Sequence, residues 1–179
     1  MDIGVQEKRK TLVKNEVKNE VKSMKVNIGL KEQDSKVVAE VLNQLLADEH
    51  VFYIKTRNAH WNLQSADFHP QHLFLEEIYT EFATTIDDIA ERIRTIGHFA
   101  AGTMKEFLEL TNLKELSGRK ENSLGYIEEL TKDLEAIIRS IRENLQKEEV
   151  QNDLATEDFL TALLGDHEKT AWMLRSHLS

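Results

Sequence analysis

No cysteine occurs in this 179-residue chain, and that single absence removes several chemistries. A disulfide framework, a thiolate metal site and a cysteine nucleophile are all closed to it. Proline occurs once and glycine seven times, so little interrupts long helices. The abundance of Glu, Lys, Leu and Ala favours helices over strands. No apolar run approaches the roughly 20 residues that a membrane helix needs. The first 25 residues contain no apolar stretch of the signal-peptide kind. With no export signal the cytoplasm is the expected location, and no membrane partner is expected.

What is present fits one soluble globular domain large enough to bury a core: 40% hydrophobic and 31% charged residues. The net charge of −9 is unevenly spread. Residues 1–25 carry Lys8, Arg9, Lys10, Lys14, Lys18, Lys22 and Lys25 against Asp2, Glu7, Glu16 and Glu20, a net of +3 that leaves −12 for the rest. A basic arm on an acidic body points to contact with polyanions through the tail alone. The alternative is a plain solvated extension, and the interleaved acids favour that. Met24 offers a second start that would delete most of the arm. The chain therefore divides into a basic arm, residues 1–29, and a folded domain, residues 30–179.

Hydrophobic spacing predicts four long helices. Residues 34–62 hold neither Gly nor Pro and place Val38, Val41, Leu42, Leu45 and Phe52 at helical steps, with Asp34 or Ser35 available as a cap. After a polar break at 64–67, Pro70 sits in the first turn of the next helix, where it is best tolerated. That helix carries Leu75, Ile78, Phe82, Ile86, Ile89, Ile93 and Ile96 and ends near Gly97. A third begins near Ser123 or Gly125 with Ile127, Leu130, Leu134, Ile137, Ile138, Ile141 and Leu145. Polar residues 146–152 break it. A fourth spans about 154–178, with Leu160, Leu163, Leu164, Trp172 and Leu174 on its inner side. The link between the second and third helices is about 25 residues, longer than a tight turn, and holds a short helix near 104–110. The expected fold is all-α: a ferritin-like four-helix bundle whose long crossover carries a short helix.

Five metal-type side chains stand out: His60, His72, Glu76, Asp87 and Glu91. Imidazoles with several carboxylates suit iron, manganese or zinc. His72 to Glu76 and Asp87 to Glu91 are i,i+4 steps, so each pair shares a helix face. The pairs lie eleven residues apart, roughly 16 Å along the axis, too far for one ion. A second copy of the helix, antiparallel across a two-fold axis, would bring one chain's His pair beside the other's Asp/Glu pair. A buried di-iron bundle would instead need Glu-x-x-His on two helices, and the sequence contains no such pair. Spacing alone leaves a duller alternative open, because a helix rich in Glu and Asp often carries i,i+4 carboxylates on a solvated face.

The run His60-Trp61-Asn62, a second histidine twelve residues after the first, Asp87-x-x-Ala90-Glu91-Arg92, and the Gly97 to Gly102-Thr103 segment together resemble the Dps family (DNA-binding proteins from starved cells, the mini-ferritins). The resemblance runs over about residues 30–179 and includes the crossover and Trp172 near the C-terminus. It implies a homo-oligomer, a hollow dodecamer with ferroxidase centres at two-fold dimer interfaces. His60, His72, Glu76, Asp87 and Glu91 fall on the family's ligand positions, with Glu76 standing where Asp is common. Fe(II) would be the substrate, hydrogen peroxide the preferred oxidant, and ferric mineral the stored product. Trp61 would be either a nearby electron donor or interface packing, and Arg92 would pair with a carboxylate and orient it. The acidic cluster Glu148, Glu149, Asp153, Glu157 and Asp158 lies where the family places three-fold pores, with Asp153 and Asp158 as preferred entry residues. Twelve arms acting together through Lys8, Arg9, Lys10, Lys14, Lys18 and Lys22 would bind DNA by avidity, strongly dependent on salt. His69, His98, His167 and His177 match no ligand position and read as surface or structural.

Overall fold

The computed structural model describes residues 26–120 and 122–178. Helices α1 (Glu32–Asn62), α2 (Phe68–Thr95), α3 (Met104–Leu110), α4 (Ser123–Asn144), α5 (Glu148–Gln151) and α6 (Leu154–Ser176) follow in that order. No strand occurs among the described residues. The four long helices α1, α2, α4 and α6 form the bundle. The α1–α2 hairpin provides its largest packed face; α4 packs on α1 and α6, and α3 lies across α1.

The helix ends follow local chemistry, with one departure from expectation. Helix α1 starts at Glu32, and its N-terminal boundary residue Lys31 offers no side-chain cap. Asp34 and Ser35 therefore lie inside the first turn instead of capping it. There the acids Glu32 and Asp34 face the positive end of the helix dipole. Ser35 Oγ donates back to the Glu32 carbonyl at 3.0 Å, and Asp34 accepts from Asn152 Nδ2 at 3.1 Å. Gly97, at φ 93°, takes the left-handed turn that ends α2. Thr103 and Glu106 form a reciprocal capping box that starts α3. Asn122 and Asp153 cap α4 and α6 through Gly125 N–H and Thr156 N–H. The stretch 146–152 does break α4, yet it contains the single helical turn of α5.

The apolar stripes meet as the spacing predicts. Leu42, Phe52, Leu75, Ile78, Ile89, Ile93, Ile127, Leu130, Leu134, Ile137 and Ile141 are fully enclosed. Trp172 is the exception: expected inside, it is 60% exposed. The buried register of α6 runs Leu160, Leu163, His167, Ala171 and Leu174. Residue 172 lies roughly 100° around the helix from 171, which turns its indole outward. An imidazole occupies the core position instead.

A buried cation ties the crossover to the bundle. Lys55, 4% exposed, contacts Asp133 and reaches Glu129 and the Lys114 carbonyl, each at 2.9 Å. Lys120 also bonds Glu129 at 2.9 Å. Lys120 and Lys55 together hold the Glu129 carboxyl down to about 2, whereas burial pushes that of Asp133 up. A depressed folded-state value means that Glu129 stabilises the fold above its ordinary value of 4.5 and loses that contribution as pH falls towards 2. Acid unfolding of Glu129→Gln, compared with wild type, is expected to show a smaller loss of stability across that window. Parallel curves would mean that Glu129 does not carry the linkage.

Candidate metal centre

The site begins with the hairpin turn. The chain reverses over residues 63–67, so His60 near the end of α1 faces His72 near the start of α2. Their rings stack at 3.7 Å between centroids and 18° between planes. Each ring bonds the other residue's main chain: His60 Nδ1–H donates to the His72 carbonyl at 2.9 Å, and His72 Nδ1–H donates to the His60 carbonyl at 3.0 Å. A carbonyl oxygen can only accept, so Nδ1 of each ring carries a proton, and in the neutral tautomer this selects, the lone pair lies on Nε2. Metal-binding histidines are oriented in this way by a partner outside the ligand set.

Glu76, one turn further along α2, completes the group. The donor atoms of His60, His72 and Glu76 all lie within 4.8 Å of one another. Two imidazoles and a carboxylate suit iron, manganese or zinc, and three ligands leave coordination positions open. Phe68 stacks on His72 with centroids 5.0 Å apart, and the Tyr79 ring stands edge-on to His60 at 5.1 Å. His60 is buried, His72 half-buried and Glu76 exposed, which grades the group from the core outward.

Asp87 and Glu91 do not join this group within one chain. Both are exposed on α2, and Asp87 lines an open groove of about 800 Å³ with Thr80, Ala83, Ala90 and Gly102. Arg92 does pair with a carboxylate, but with Asp153: its Nη2 reaches both carboxylate oxygens at 2.7 Å, and its Nε donates to Thr156 Oγ1 at 2.8 Å. Asp153 is thus an ion-paired helix cap, 7% exposed, while Asp158 is exposed. Trp61, 62% exposed, lies under the Arg57 guanidinium at 4.8 Å. The arm residues Lys8, Arg9, Lys10, Lys14, Lys18 and Lys22 lie outside the described residues.

Three polar residues went unremarked or underweighted in the sequence. His50 donates Nδ1–H to the Leu46 carbonyl at 2.8 Å and stacks on Phe107 at 3.8 Å; burial lowers its pKa. Glu49 and His167 are 0% and 2% exposed, with His167 Nε2 at 2.7 Å from Glu49 Oε1 and its ring on Phe82. A signal for the last two was available. Residue 49 falls between Leu45 and Phe52, and 167 between Leu163 and Leu174, both in core register.

No helix among the described residues is long and apolar enough to cross a membrane. Comparison with known proteins adds the lineage. The family of the ferritin-like domain matches residues 39–179. The chain is 40% identical over 156 residues to a low temperature-induced protein of Nostoc, covering 86% of this chain and 87% of that one. It is 39% identical over 145 residues to the DNA protection during starvation protein 2 of Bacillus anthracis, covering 81% and 99%. Among solved structures it superposes on the Dps protein of Vibrio cholerae O1 with a TM-score of 0.80 at 31% identity, covering 87% of this chain and 98% of that one. That structure is described as a member of a superfamily of ferritin-like diiron-carboxylate proteins. A four-helix bundle with this crossover, and these relatives over nearly their full length, place the chain in the Dps family of ferritin-like proteins.

Proposed function

We propose that this protein oxidises Fe(II), preferentially with hydrogen peroxide, and retains the ferric product inside a hollow homo-oligomer, a dodecamer in the family's manner. The observation that supports it most is the stacked His60–His72 pair, each Nδ1 tied to the other's carbonyl, gathered with Glu76 within 4.8 Å. Such a half-site holds an ion but leaves it under-ligated. Asp87 and Glu91 have the complementary shortage: two carboxylates on one exposed face that join no three-residue metal group among the described residues. A two-fold axis that lays two α2 helices antiparallel would join one copy's His60, His72 and Glu76 to the other's Asp87 and Glu91. Symmetry then makes two such centres per dimer.

The donor types assign the chemistry. Imidazole nitrogens hold Fe(II) at the outset, and the hard carboxylate oxygens favour Fe(III) as it forms. Two Fe(II) give one electron each to a peroxide, whose O–O bond breaks to leave water and no hydroxyl radical. Removing Fe(II) and peroxide together would protect nearby DNA, in keeping with the names of the relatives. Asp158 is the entry carboxylate that remains free, because Asp153 is bound to Arg92. Ferric ion would be hydrolysed and collect as mineral. The test is stoichiometry on the assembled particle: anaerobic Fe(II) titrated with peroxide is expected to consume two irons per peroxide, in a particle much heavier than a dimer. A dimeric particle, or one iron consumed per peroxide with hydroxyl radical released, would overturn the reading.

A further inference from the structure

Tyr53, Arg57 and Trp61 recur every four residues and so share one face of α1. From α2, Tyr79 meets the same cluster. The Arg57 guanidinium lies 4.8 Å from the Trp61 ring centre, 5.3 Å from that of Tyr79 and 5.6 Å from that of Tyr53. These distances are all within the reach of a cation–π contact. Arg57 Nη1 also donates to the Tyr53 hydroxyl at 2.9 Å. Tyr79 is the ring that touches both the site and the cluster, edge-on to His60 at 5.1 Å and to Tyr53 at 6.2 Å. One cation is thus held among three oxidisable rings, a single helical turn before His60.

We infer that Tyr79 is the protein's one-electron donor at the iron centre, and that Arg57 directs the oxidising equivalent to Tyr79 and away from Trp61. The inference rests on the ferroxidase reading above. Its need arises when only one Fe(II) is bound. Peroxide cleaved to two waters takes two electrons and two protons. A lone Fe(II) supplies one electron, so without another donor the remaining equivalent escapes as hydroxyl radical. Tyr79 supplies the second electron and releases its phenolic proton. The balance is then one peroxide, one Fe(II), one tyrosine and one proton from solvent, yielding Fe(III), a neutral tyrosyl radical and two waters.

Charge selects among the rings. An indole that gives up an electron is left as a radical cation, and for Trp61 that charge would face the guanidinium and turn an attraction into a repulsion. A phenol gives up its proton with its electron, so Tyr79 ends neutral and the contact with Arg57 survives. Tyr53 is disfavoured because its hydroxyl oxygen already accepts a hydrogen bond from the cation. Contact settles the remaining order, since Tyr79 abuts the ligand ring itself.

The experiment freezes the assembled, full-length protein milliseconds after peroxide meets one Fe(II) per centre, and reads the radical by electron paramagnetic resonance. The expected signal is a tyrosyl radical that persists in Trp61→Phe and falls at least tenfold in Tyr79→Phe. In Arg57→Gln, part of the signal is expected to become tryptophanyl. Tyr79→Phe keeps the ring, and a particle mass and a helical circular dichroism spectrum equal to those of wild type show that its fold and assembly are intact. A tryptophanyl radical in wild type, a tyrosyl signal that survives Tyr79→Phe, or no protein radical in a protein that oxidises iron normally would overturn this inference alone. Failure of wild type to oxidise iron with peroxide at all would overturn the ferroxidase reading and this inference with it.

Discussion

Two inactive variants of this chain are expected to restore each other's iron oxidation when they assemble together. His60→Ala/His72→Ala removes both imidazoles, and Asp87→Asn/Glu91→Gln neutralises both distal carboxylates. Each is expected to assemble and to lose fast peroxide-driven oxidation by about a hundredfold or more, since even partners outside the ligand set are worth 10–100-fold in metal affinity or activity. In a mixed dimer, one centre receives both sets of lesions and the other receives none. Random pairing makes half the dimers mixed, so about a quarter of wild-type activity should return. A centre built within one chain would give no such recovery. Co-refolding the two variants and measuring initial rates against either alone decides the matter, and rates that stay at the level of the parents would sink the shared centre. The result would also explain the geometry of a single chain, in which Glu76 gathers with the two histidines while Asp87 and Glu91 stand apart on the same helix.

The second large effect is expected in the core. Glu49 and His167 face each other across the bundle, almost wholly buried, and Glu49 Oε2 has no further hydrogen-bond partner among the described residues. Removing the imidazole in His167→Leu leaves the Glu49 carboxyl in an apolar interior without the one partner it has among the described residues. That change is expected to cost about 3–5 kcal/mol. The double change Glu49→Met/His167→Leu removes both polar groups at similar volume and is expected to recover most of the loss, to within about 1 kcal/mol of wild type or better. Urea unfolding at one fixed protein concentration reads both numbers, because assembly contributes to apparent stability. Equal destabilisation by the single and double variants would show that volume and ring stacking on Phe82 matter here, not the pair. Iron oxidation should be unaffected wherever the particle still forms, since neither residue belongs to the His60–His72–Glu76 group.

Much of this architecture was legible in the order of residues because helices are local objects. The steps of three and four from Leu75 to Ile96 and from Ile127 to Ile141 predict both where the helices run and which face turns inward. Gly97 marks an end whose chemistry is complete within a few residues. The His72–Glu76 step likewise places two metal-type side chains on one face of α2. Errors arose where a position depends on a partner distant in sequence. Trp172 resembles a core residue by composition, yet the register set by Ala171 and Leu174 turns it outward. The partner of Asp153 was likewise invisible, because Arg92, which holds it, lies 61 positions earlier.

By itself, then, the sequence determined the all-α class, the four long helices, the crossover with its short helix, and a set of metal-type residues split in two along one helix. Each of these follows from backbone periodicity and side-chain type over a span of a few turns. Tertiary structure alone decided that the His60 and His72 rings stack and tie their Nδ1 protons to each other's carbonyls. It alone paired Glu49 with His167 through the core, turned Arg92 to Asp153, and brought Tyr79 of α2 against Arg57 of α1. These are contacts between helices. Their geometry depends on how two rods meet in space, and periodicity along either rod carries no record of that.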